Sequence, residues 1–437
     1  MSWLNKEIAE RWRTEGKRYA SDINEYVRKG METGWQENLK EPEEDQRRSI
    51  AADIIEMIRG ANQAGEMKKL REELPPASWP LTSEFQEQLQ AVKPLAFLQD
   101  GSLLVHAGGF NEGGTLYIAQ GEELTKVLGA NFAGGSRDGE YVALVNEEGI
   151  RVIRGMMSDV EGEQVAVYLW KDIQNKLKTA LPGLESLADV EQPESVMDEV
   201  IPFDEGKKLL LVCGYGIYLL SEGEAELLHP ELADLRKYDM EDTVLDMAHG
   251  DVSPDGRWLT YGSQSSEHVL MDLKDRKVYA FEPASSYPHF ARFSKDSCEV
   301  WYNACHFYNG ATIKVPVAEA GQGIASDNSV EWPLMNEEMR VYAAAALKKG
   351  LILGDAYGYL KMIDENGQEV WRYFVGSTIF GMTATSDEKV LAVGTYGGML
   401  HLLNLDSGVK SEYSIGTADI LETDRWVLWR NQEPLRW

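Results

Sequence analysis

A short phrase recurs seven times between Pro94 and Lys410: a polar turn, an apolar run, a glycine-containing break and a second apolar run. Each run is too short to form a stable helix and is rich in β-branched and aromatic residues, which is typical of buried strands. The repeat therefore predicts a series of similar sheets. The seven turns are Asp100-Gly101, Asp138-Gly139, Asp204-Glu205-Gly206, Asp255-Gly256, Asp296-Ser297, Lys349-Gly350 and Asp387-Glu388.

The spacing of these turns indicates the architecture. Asp100 and Asp138 are 38 residues apart, and Asp255 and Asp296 are 41 apart, close to the roughly 40 to 50 residues of a propeller blade. We therefore expect a mainly β protein that forms a seven-bladed β-propeller. Residues 420–437 resemble the start of another unit, so an eight-bladed propeller, completed by an N-terminal strand, is the alternative.

The first 90 residues follow a different pattern. Ile8 and Trp12 recur at the spacing of one helix face. Pro42 and the acidic residues after it are typical of the first turn of a helix, and Gly65 is typical of a residue that ends one. We expect a helical N-terminal region at residues 1–90 and a propeller at residues 91–437.

The net charge of -29 constrains the partners. Binding to nucleic acid depends on clusters of Lys and Arg, and this sequence has no basic run, so we expect no nucleic-acid partner. An acidic surface keeps a protein soluble, and it also speeds the encounter with a basic protein. A protein partner of basic character is therefore one hypothesis.

Cysteine usage and hydropathy bear on localisation. Cys213, Cys298 and Cys305 cannot all pair with one another, which favours a reducing compartment. The longest apolar run, residues 209–220, has 12 residues, whereas a membrane helix needs about 20. Residues 1–13 are charged throughout and do not read as a secretory signal. We expect a cytoplasmic protein that has no membrane partner.

The sequence contains none of the common catalytic fingerprints. It has no G-x-S-x-G, H-E-x-x-H, Walker or dinucleotide-binding motif. Cys298, Cys305 and His306 are too few for a structural zinc site, so we expect neither a metal nor another cofactor. Because propellers can gather catalytic groups from separate blades around the channel, an enzyme stays possible. Its best candidates are Asp246, His249 and Asp251.

Aromatic residues recur in the breaks between the two apolar runs. Equivalent loops of a propeller open on the same face, so these side chains are expected to lie around the mouth of the channel. Such residues are enriched where proteins bind one another, although they also pack between blades. The predicted binding residues are Phe110, Tyr215, His306, Phe307, Tyr308, Tyr357 and Tyr396.

Two repeats resemble a known family. Residues 354–371 and 393–408 each carry a Gly-aromatic-Gly hairpin, and the first of them ends in Trp371; both are similar to the repeats of PQQ-like propellers. The Ser253-Pro254-Asp255-Gly256 turn followed by Trp258 looks like that of WD-repeat proteins. The resemblance implies a propeller fold and a scaffold role, and it carries over no active site.

These observations favour a non-enzymatic propeller that binds another protein through one face. An adaptor within a larger assembly and an acidic neutraliser of a basic toxin are two forms of that hypothesis. The alternative is a propeller enzyme or small-ligand binder that uses the central channel, such as a lactonase-like hydrolase or a sugar-processing protein.

Overall fold

The turn at the start of a repeat is built by its own side chains. In the fourth repeat, Ser253 Oγ donates a hydrogen bond to Asp255 Oδ1 (2.5 Å) and accepts one from the Trp258 N–H (2.9 Å). Gly256 adopts φ +69°, a conformation that glycine reaches without strain. Because the turn satisfies its own polar groups, it fixes where both strands begin. The same hydroxyl–carboxylate pair recurs at Ser136 and Asp138, Ser294 and Asp296, and Thr385 and Asp387.

These turns join the first two strands of seven sheets in the computed structural model, which describes residues 2–36, 38–109, 113–322 and 331–437. Within that described part, six sheets have four strands and the last has five. Strands that follow one another in sequence are neighbours in each sheet. This arrangement is a seven-bladed propeller preceded by helices, so the predicted fold class is confirmed.

Each blade runs from an inner first strand to an outer last strand. The first three blades are β1 (Val92–Phe97), β2 (Leu103–Gly108), β3 (Gly114–Gln120) and β4 (Glu123–Lys126); β5 (Phe132–Gly135), β6 (Tyr141–Val145), β7 (Gly149–Arg154) and β8 (Glu163–Leu169); and β9 (Met197–Phe203), β10 (Lys208–Cys213), β11 (Gly216–Ser221) and β12 (Glu224–His229).

The remaining four blades follow the same order. They are β13 (His249–Val252), β14 (Trp258–Gly262), β15 (His268–Asp272) and β16 (Lys277–Phe281); β17 (Tyr287–Phe293), β18 (Glu299–His306), β19 (Asn309–Pro316) and β20 (Leu334–Asn336); β21 (Val341–Leu347), β22 (Gly350–Asp355), β23 (Tyr359–Asp364) and β24 (Glu369–Phe374); and β25 (Ile379–Ala384), β26 (Val390–Thr395), β27 (Met399–Asn404), β28 (Leu421–Val427) and β29 (Leu435–Arg436).

The end of the chain does not begin an eighth blade, so that alternative is wrong. β28 pairs with β27 and β29 pairs with β28, which makes both of them outer strands of the seventh sheet. The reason lies in residues 409–415, whose alternating pattern looks like an outer strand but which form turns and irregular structure. The outer position is therefore left for β28.

Six α-helices lie within the described residues, four of them before the first blade. The other two are connections: one links the second and third blades, and the other links the third and fourth. They are α1 (Lys6–Thr33), α2 (Ala51–Ala64), α3 (Met67–Glu73), α4 (Ser78–Thr82), α5 (Trp170–Ala180) and α6 (Leu232–Lys237). No helix of this described part is long and apolar enough to cross a membrane.

Local capping explains the bounds of the first two helices. The Asn5 side chain accepts hydrogen bonds from two N–H groups of the first turn of α1, and Gly65 ends α2 at φ +67°. Pro42 does not open a helix, contrary to the prediction. Instead Asp45 accepts a hydrogen bond from the Arg47 N–H and caps a short 3₁₀ turn (Gln46–Ile50) that leads into α2.

Close contacts divide the chain into two compact units. Unit 1 comprises Met1–Lys93, Gly354–Met362 and Glu369–Trp437, and unit 2 comprises Pro94–Leu353 and Ile363–Gln368.

The core of unit 1 joins the helices to the last sheet. Trp12 of α1 and Trp437 are fully buried, with their ring centroids 6.0 Å apart. The Trp12 indole donates to the Pro75 carbonyl and the Trp437 indole donates to the Leu74 carbonyl, each at 2.8 Å. Buried tryptophans with satisfied N–H groups contribute large apolar area at no polar cost, so the helical region is part of a shared core.

The cores of unit 2 lie between neighbouring blades. Leu210 and Val212 of β10 pack with Leu259 and Tyr261 of β14. The next interface has the same character, because Leu270 of β15 packs with residues of the following sheet. Strands buried on both faces need apolar residues at successive positions, which explains the continuous apolar runs of the sequence.

Candidate functional site

The hairpins that join the second and third strands of the blades carry the predicted binding residues. Tyr215 lies in the turn between β10 and β11; His306 ends β18, and Phe307 and Tyr308 lie between β18 and β19. Tyr357 follows β22 and Tyr396 follows β26. Phe110 lies outside the described residues. The exposure and contacts of the aromatic rings differ sharply between these hairpins.

The β18–β19 hairpin is the most exposed of them. His306 pairs with Asn309, which leaves a loop of two residues, Phe307 and Tyr308. The exposed fractions are 72% for Phe307 and 65% for Tyr308. Phe307 adopts φ +55°, a left-handed conformation that a bulky residue rarely takes, at a cost of about 1 to 3 kcal/mol.

Neighbouring side chains extend this exposed tip into a small surface. The rings of Tyr287 and His306 are parallel, with centroids 6.3 Å apart, and the Phe307 ring meets His306 edge-on at 4.7 Å. His306 Nδ1 and Ser286 Oγ share a hydrogen bond of 3.0 Å. We call Tyr287, His306, Phe307 and Tyr308 the hairpin patch. It presents four adjacent ring systems to solvent.

Arg340, which directly precedes β21, supports the hairpin patch. Its Nη1 donates to the Phe307 carbonyl at 3.0 Å, and its guanidinium lies 5.1 Å from the centroid of the Tyr342 ring. A hydrogen bond to the carbonyl of the strained residue holds the tip in place. The patch is therefore both exposed and fixed, which lowers the entropic cost of binding.

Tyr215 occupies the equivalent hairpin of the third blade but is half-buried. Its carbonyl accepts hydrogen bonds from Tyr218 Oη and Thr243 Oγ1, both at 2.6 Å. The Leu245 N–H donates to the Gly214 carbonyl at 2.8 Å. The segment that crosses from the third to the fourth blade therefore covers this hairpin, and the Tyr215 side chain packs against the core between the second and third blades.

Tyr357 and Tyr396 belong to unit 1 and also differ from each other. Tyr357 is 53% exposed, and its N–H donates to the carboxylate of the buried Asp355. Burial raises the pKa of Asp355 to about 6, and the hydrogen bonds from the backbone oppose that rise. Tyr396 is half-buried, with its ring 4.7 Å from Phe380.

The candidate catalytic residues of unit 2 have separate partners. Arg137 Nε donates to Asp251 Oδ1 at 2.6 Å, and Arg292 Nη1 lies 3.6 Å from the same oxygen. His249 Nδ1 shares a hydrogen bond with the Met247 carbonyl, whereas Asp246 is exposed. The structure therefore places these candidates with different partners, and their catalytic role stays a prediction.

Four histidines were not predicted as a group: His229, His249, His268 and His289. They are buried or half-buried, and the His249 and His268 rings lie 6.2 Å apart. Burial lowers the pKa of His229 and of His249 to about 4 and that of His289 to about 3, and it also lowers the pKa of His268 well below its usual value. These imidazoles are neutral in the folded protein. No spacing rule reveals them, because they come from four different strands.

Among residues 2–36, 38–109, 113–322 and 331–437, no group of three or more His, Cys, Asp or Glu side chains is arranged to hold a metal ion. All three cysteines are free, and Cys298 lines a cleft of about 430 Å³ at the opposite ends of β18 and β22 from the hairpins. Burial raises the pKa of the Cys298 thiol, so it stays protonated near neutral pH.

Comparison with solved structures finds chains that are similar to this one. The chain is similar to the solved structure of the Myceliophteria thermophila Cps50 (Swd1) β-propeller domain, with 13% identity and a TM-score of 0.44. The match covers 76% of this chain and 96% of that one. No protein-family model matches the sequence, and no curated protein matches it.

Proposed function

We propose that this protein is a non-enzymatic scaffold that binds another protein through the hairpins between the second and third strands of its blades. The observation that carries this proposal is the hairpin patch, where Phe307 and Tyr308 are 72% and 65% exposed on a two-residue turn. Monomeric proteins rarely present adjacent large aromatic residues to water without a binding role.

Backbone strain at Phe307 supports the same proposal. Its φ of +55° would suit glycine or asparagine, which fold this type of turn at lower free energy. Strained residues concentrate at binding sites, because there the side chain is needed for more than folding. The phenyl ring contributes contact area that glycine cannot provide.

The other predicted binding residues have different roles in the proposal, according to how exposed they are. Tyr357 adds an exposed ring in unit 1, and His306 belongs to the hairpin patch. Tyr215 and Tyr396 are half-buried, so we assign them supporting roles at the base of their hairpins. Phe110 keeps its place in the proposal on sequence grounds alone.

We also propose a basic partner and a cytoplasmic site of action. The net charge of -29 would speed the approach of a basic protein, and the three free cysteines fit a reducing compartment. An adaptor and a neutraliser of a basic toxin both fit these features. The assignment of residues 354–371 and 393–408 to the PQQ-like type stays part of the proposal.

The enzyme alternative has weaker support. Its best channel carboxylate, Asp251, is engaged by Arg137 and by the N–H groups of Val252 and Phe293. These donors occupy both oxygens of the Asp251 carboxylate, which leaves it less capacity to bind a substrate.

Capture from a lysate of the native host tests the proposal. Wild-type protein should retain a specific protein, and a Phe307→Ser/Tyr308→Ser variant should lose at least about tenfold of it, as expected when two anchor residues are removed. Val278→Ser is the matched control, because Val278 is also exposed but lies on the outer strand β16. Equal capture by the double variant and by the control would contradict the proposal.

A further inference from the structure

A second exposed apolar surface lies in unit 2, on the connection between the third and fourth blades. We call residues 231–246 the acidic crossover. Tyr238, Met240 and Val244 have exposed fractions of 63%, 51% and 57%. Three large apolar side chains exposed within seven residues form a patch of the kind that marks an interaction site.

The acidic crossover is a fixed structure. Thr243 is fully buried, its Oγ1 donates to the Tyr215 carbonyl at 2.6 Å, and its N–H donates to the Glu185 carbonyl at 2.9 Å. The Glu185 N–H in turn donates to the Glu241 carbonyl at 2.9 Å. Because buried Thr243 lies between Met240 and Val244, it anchors the exposed side chains on a rigid base, which limits the entropic cost of binding.

The charge of the acidic crossover indicates what covers it. Residues 231–246 contain six Asp and Glu against two Lys and Arg, a net charge of -4. An average stretch of 16 residues in a chain of 437 residues with net charge -29 would carry about -1. Exposed Asp239 and Glu241 flank Met240 directly. The apolar side chains are therefore surrounded by an unusually negative rim.

The Tyr238 ring is already used as a cation acceptor. Lys237 Nζ lies 4.7 Å from its centroid. An ammonium group over a tyrosine ring is stabilised by the quadrupole of the ring, and this stabilisation grows when a partner excludes water. A lysine or arginine of a partner can make the same contact once Lys237 moves aside.

We propose that the acidic crossover is a docking surface for a basic protein segment that carries apolar side chains beside its Lys and Arg residues. The apolar side chains would cover Tyr238, Met240 and Val244, and the cations would meet the carboxylates of Asp239 and Glu241. This inference rests on the proposed function in that the protein binds another protein, and it assigns the basic partner to named residues separate from the hairpin patch.

Fluorescence anisotropy with three labelled synthetic peptides tests the inference on the full chain. The peptides are an alternating Lys–Leu sequence, a Lys–Ser sequence of equal length and charge, and a Glu–Leu sequence. Wild-type protein should bind Lys–Leu most tightly, Lys–Ser more weakly and Glu–Leu not measurably. Equal affinity for Lys–Leu and Lys–Ser would overturn the inference, because it would mean that only net charge is recognised.

Variants separate this surface from the hairpin patch. A Tyr238→Ser/Met240→Ser/Val244→Ser variant should bind the Lys–Leu peptide at least about tenfold more weakly, since three contact side chains are removed. The Phe307→Ser/Tyr308→Ser variant should bind it as the wild type does. Unchanged binding by the triple variant, or an equal loss in the hairpin variant, would contradict the assignment.

Two further variants distinguish a loss of binding from a loss of folding. Asp239→Asn/Glu241→Gln keeps the shape of the surface and should weaken Lys–Leu binding and flatten its dependence on salt concentration. Lys237→Gln frees the Tyr238 ring and removes a positive charge, so it should strengthen binding. If Lys237→Gln weakens binding, the proposed contact of a partner cation with Tyr238 is wrong. If these peptide tests fail, the inference about the acidic crossover is wrong, and the proposal for the hairpin patch is still tested separately by lysate capture.

Discussion

The hairpins of the third and fifth blades occupy equivalent positions yet expose their aromatic residues very differently. The β18–β19 hairpin presents Phe307 and Tyr308 to solvent, whereas Tyr215 at the β10–β11 hairpin is half-buried. The Tyr215 side chain packs against the core between the second and third blades, and the acidic crossover hydrogen-bonds to the backbone of its hairpin. Position in a repeat fixes where a side chain lies, and the neighbouring connection decides whether a partner can reach it.

The largest effect that we expect is a loss of folding stability at low pH. His229 and His249 lie on either side of the acidic crossover and are half-buried and buried, respectively. Burial lowers the pKa of both imidazoles to about 4, and Asp234 only partly offsets this for His229. An unfolded histidine binds a proton near pH 6.5, so the unfolded state takes up more protons as the pH falls. The stability that these two neutral histidines contribute is fully present above about pH 6.5 and is lost as the pH falls toward 4.

The pH prediction has a defined size and control. At pH 5 each of these two histidines should reduce the free energy of unfolding by about 2 kcal/mol relative to pH 7. Urea unfolding at the two pH values measures this. A His249→Gln variant should decline less steeply between them, and an equal decline would show that His249 is not responsible.

The next prediction concerns Thr243, which links the acidic crossover to the Tyr215 hairpin. Replacing Thr243 by valine keeps the shape of the buried side chain but removes the hydrogen bond to the Tyr215 carbonyl. We expect the free energy of unfolding to fall by about 1 to 3 kcal/mol. Tyr215 should also become more accessible, which hydrogen exchange at Leu245 would report. A melting temperature equal to that of the wild type would mean that Thr243 does not hold the crossover.

A smaller effect of opposite sign is expected at the exposed hairpin. Phe307→Gly relieves the left-handed strain of Phe307 and removes few packing contacts, since this residue is 72% exposed. The free energy of unfolding should rise by about 0.5 to 1 kcal/mol, while capture of the partner falls. Thermal unfolding and lysate capture measure the two quantities on one sample. A destabilised variant would indicate that Phe307 contributes to folding.

The smallest expected effect on stability is at Tyr357. Because its side chain is 53% exposed, Tyr357→Ser should change the free energy of unfolding by less than about 0.5 kcal/mol. Tyr357→Ser should nevertheless reduce partner capture measurably if unit 1 takes part in binding. Unchanged capture would confine the binding surface to unit 2.

The sequence predicted the blades well because their determinants are local. The Ser-x-Asp and Thr-x-Asp turns satisfy their own hydrogen bonds, and the apolar runs that follow can only be strands buried between sheets. Helix α1 was equally readable from its periodic apolar positions, such as Ile8 and Trp12. The division of the chain at residue 90 stays a prediction.

The features that the sequence did not reveal depend on distant contacts. Residues 409–415 alternate like a strand, but β28 takes the outer position of the seventh sheet. The half-burial of Tyr215 depends on the core between the second and third blades, and the lowered pKa of His289 depends on its burial. Neither can be read from local pattern, because each requires knowing which segments lie over the residue.

Site-specific photo-crosslinking in cells of the native host tests the central claim most directly. A photoreactive phenylalanine replaces Tyr308 in one variant and Tyr215 in another, and irradiation links either position to whatever lies against it. We predict a discrete crosslinked partner from position 308 and a much weaker one, or none, from position 215. A partner captured from position 215 and absent from position 308 would contradict the account.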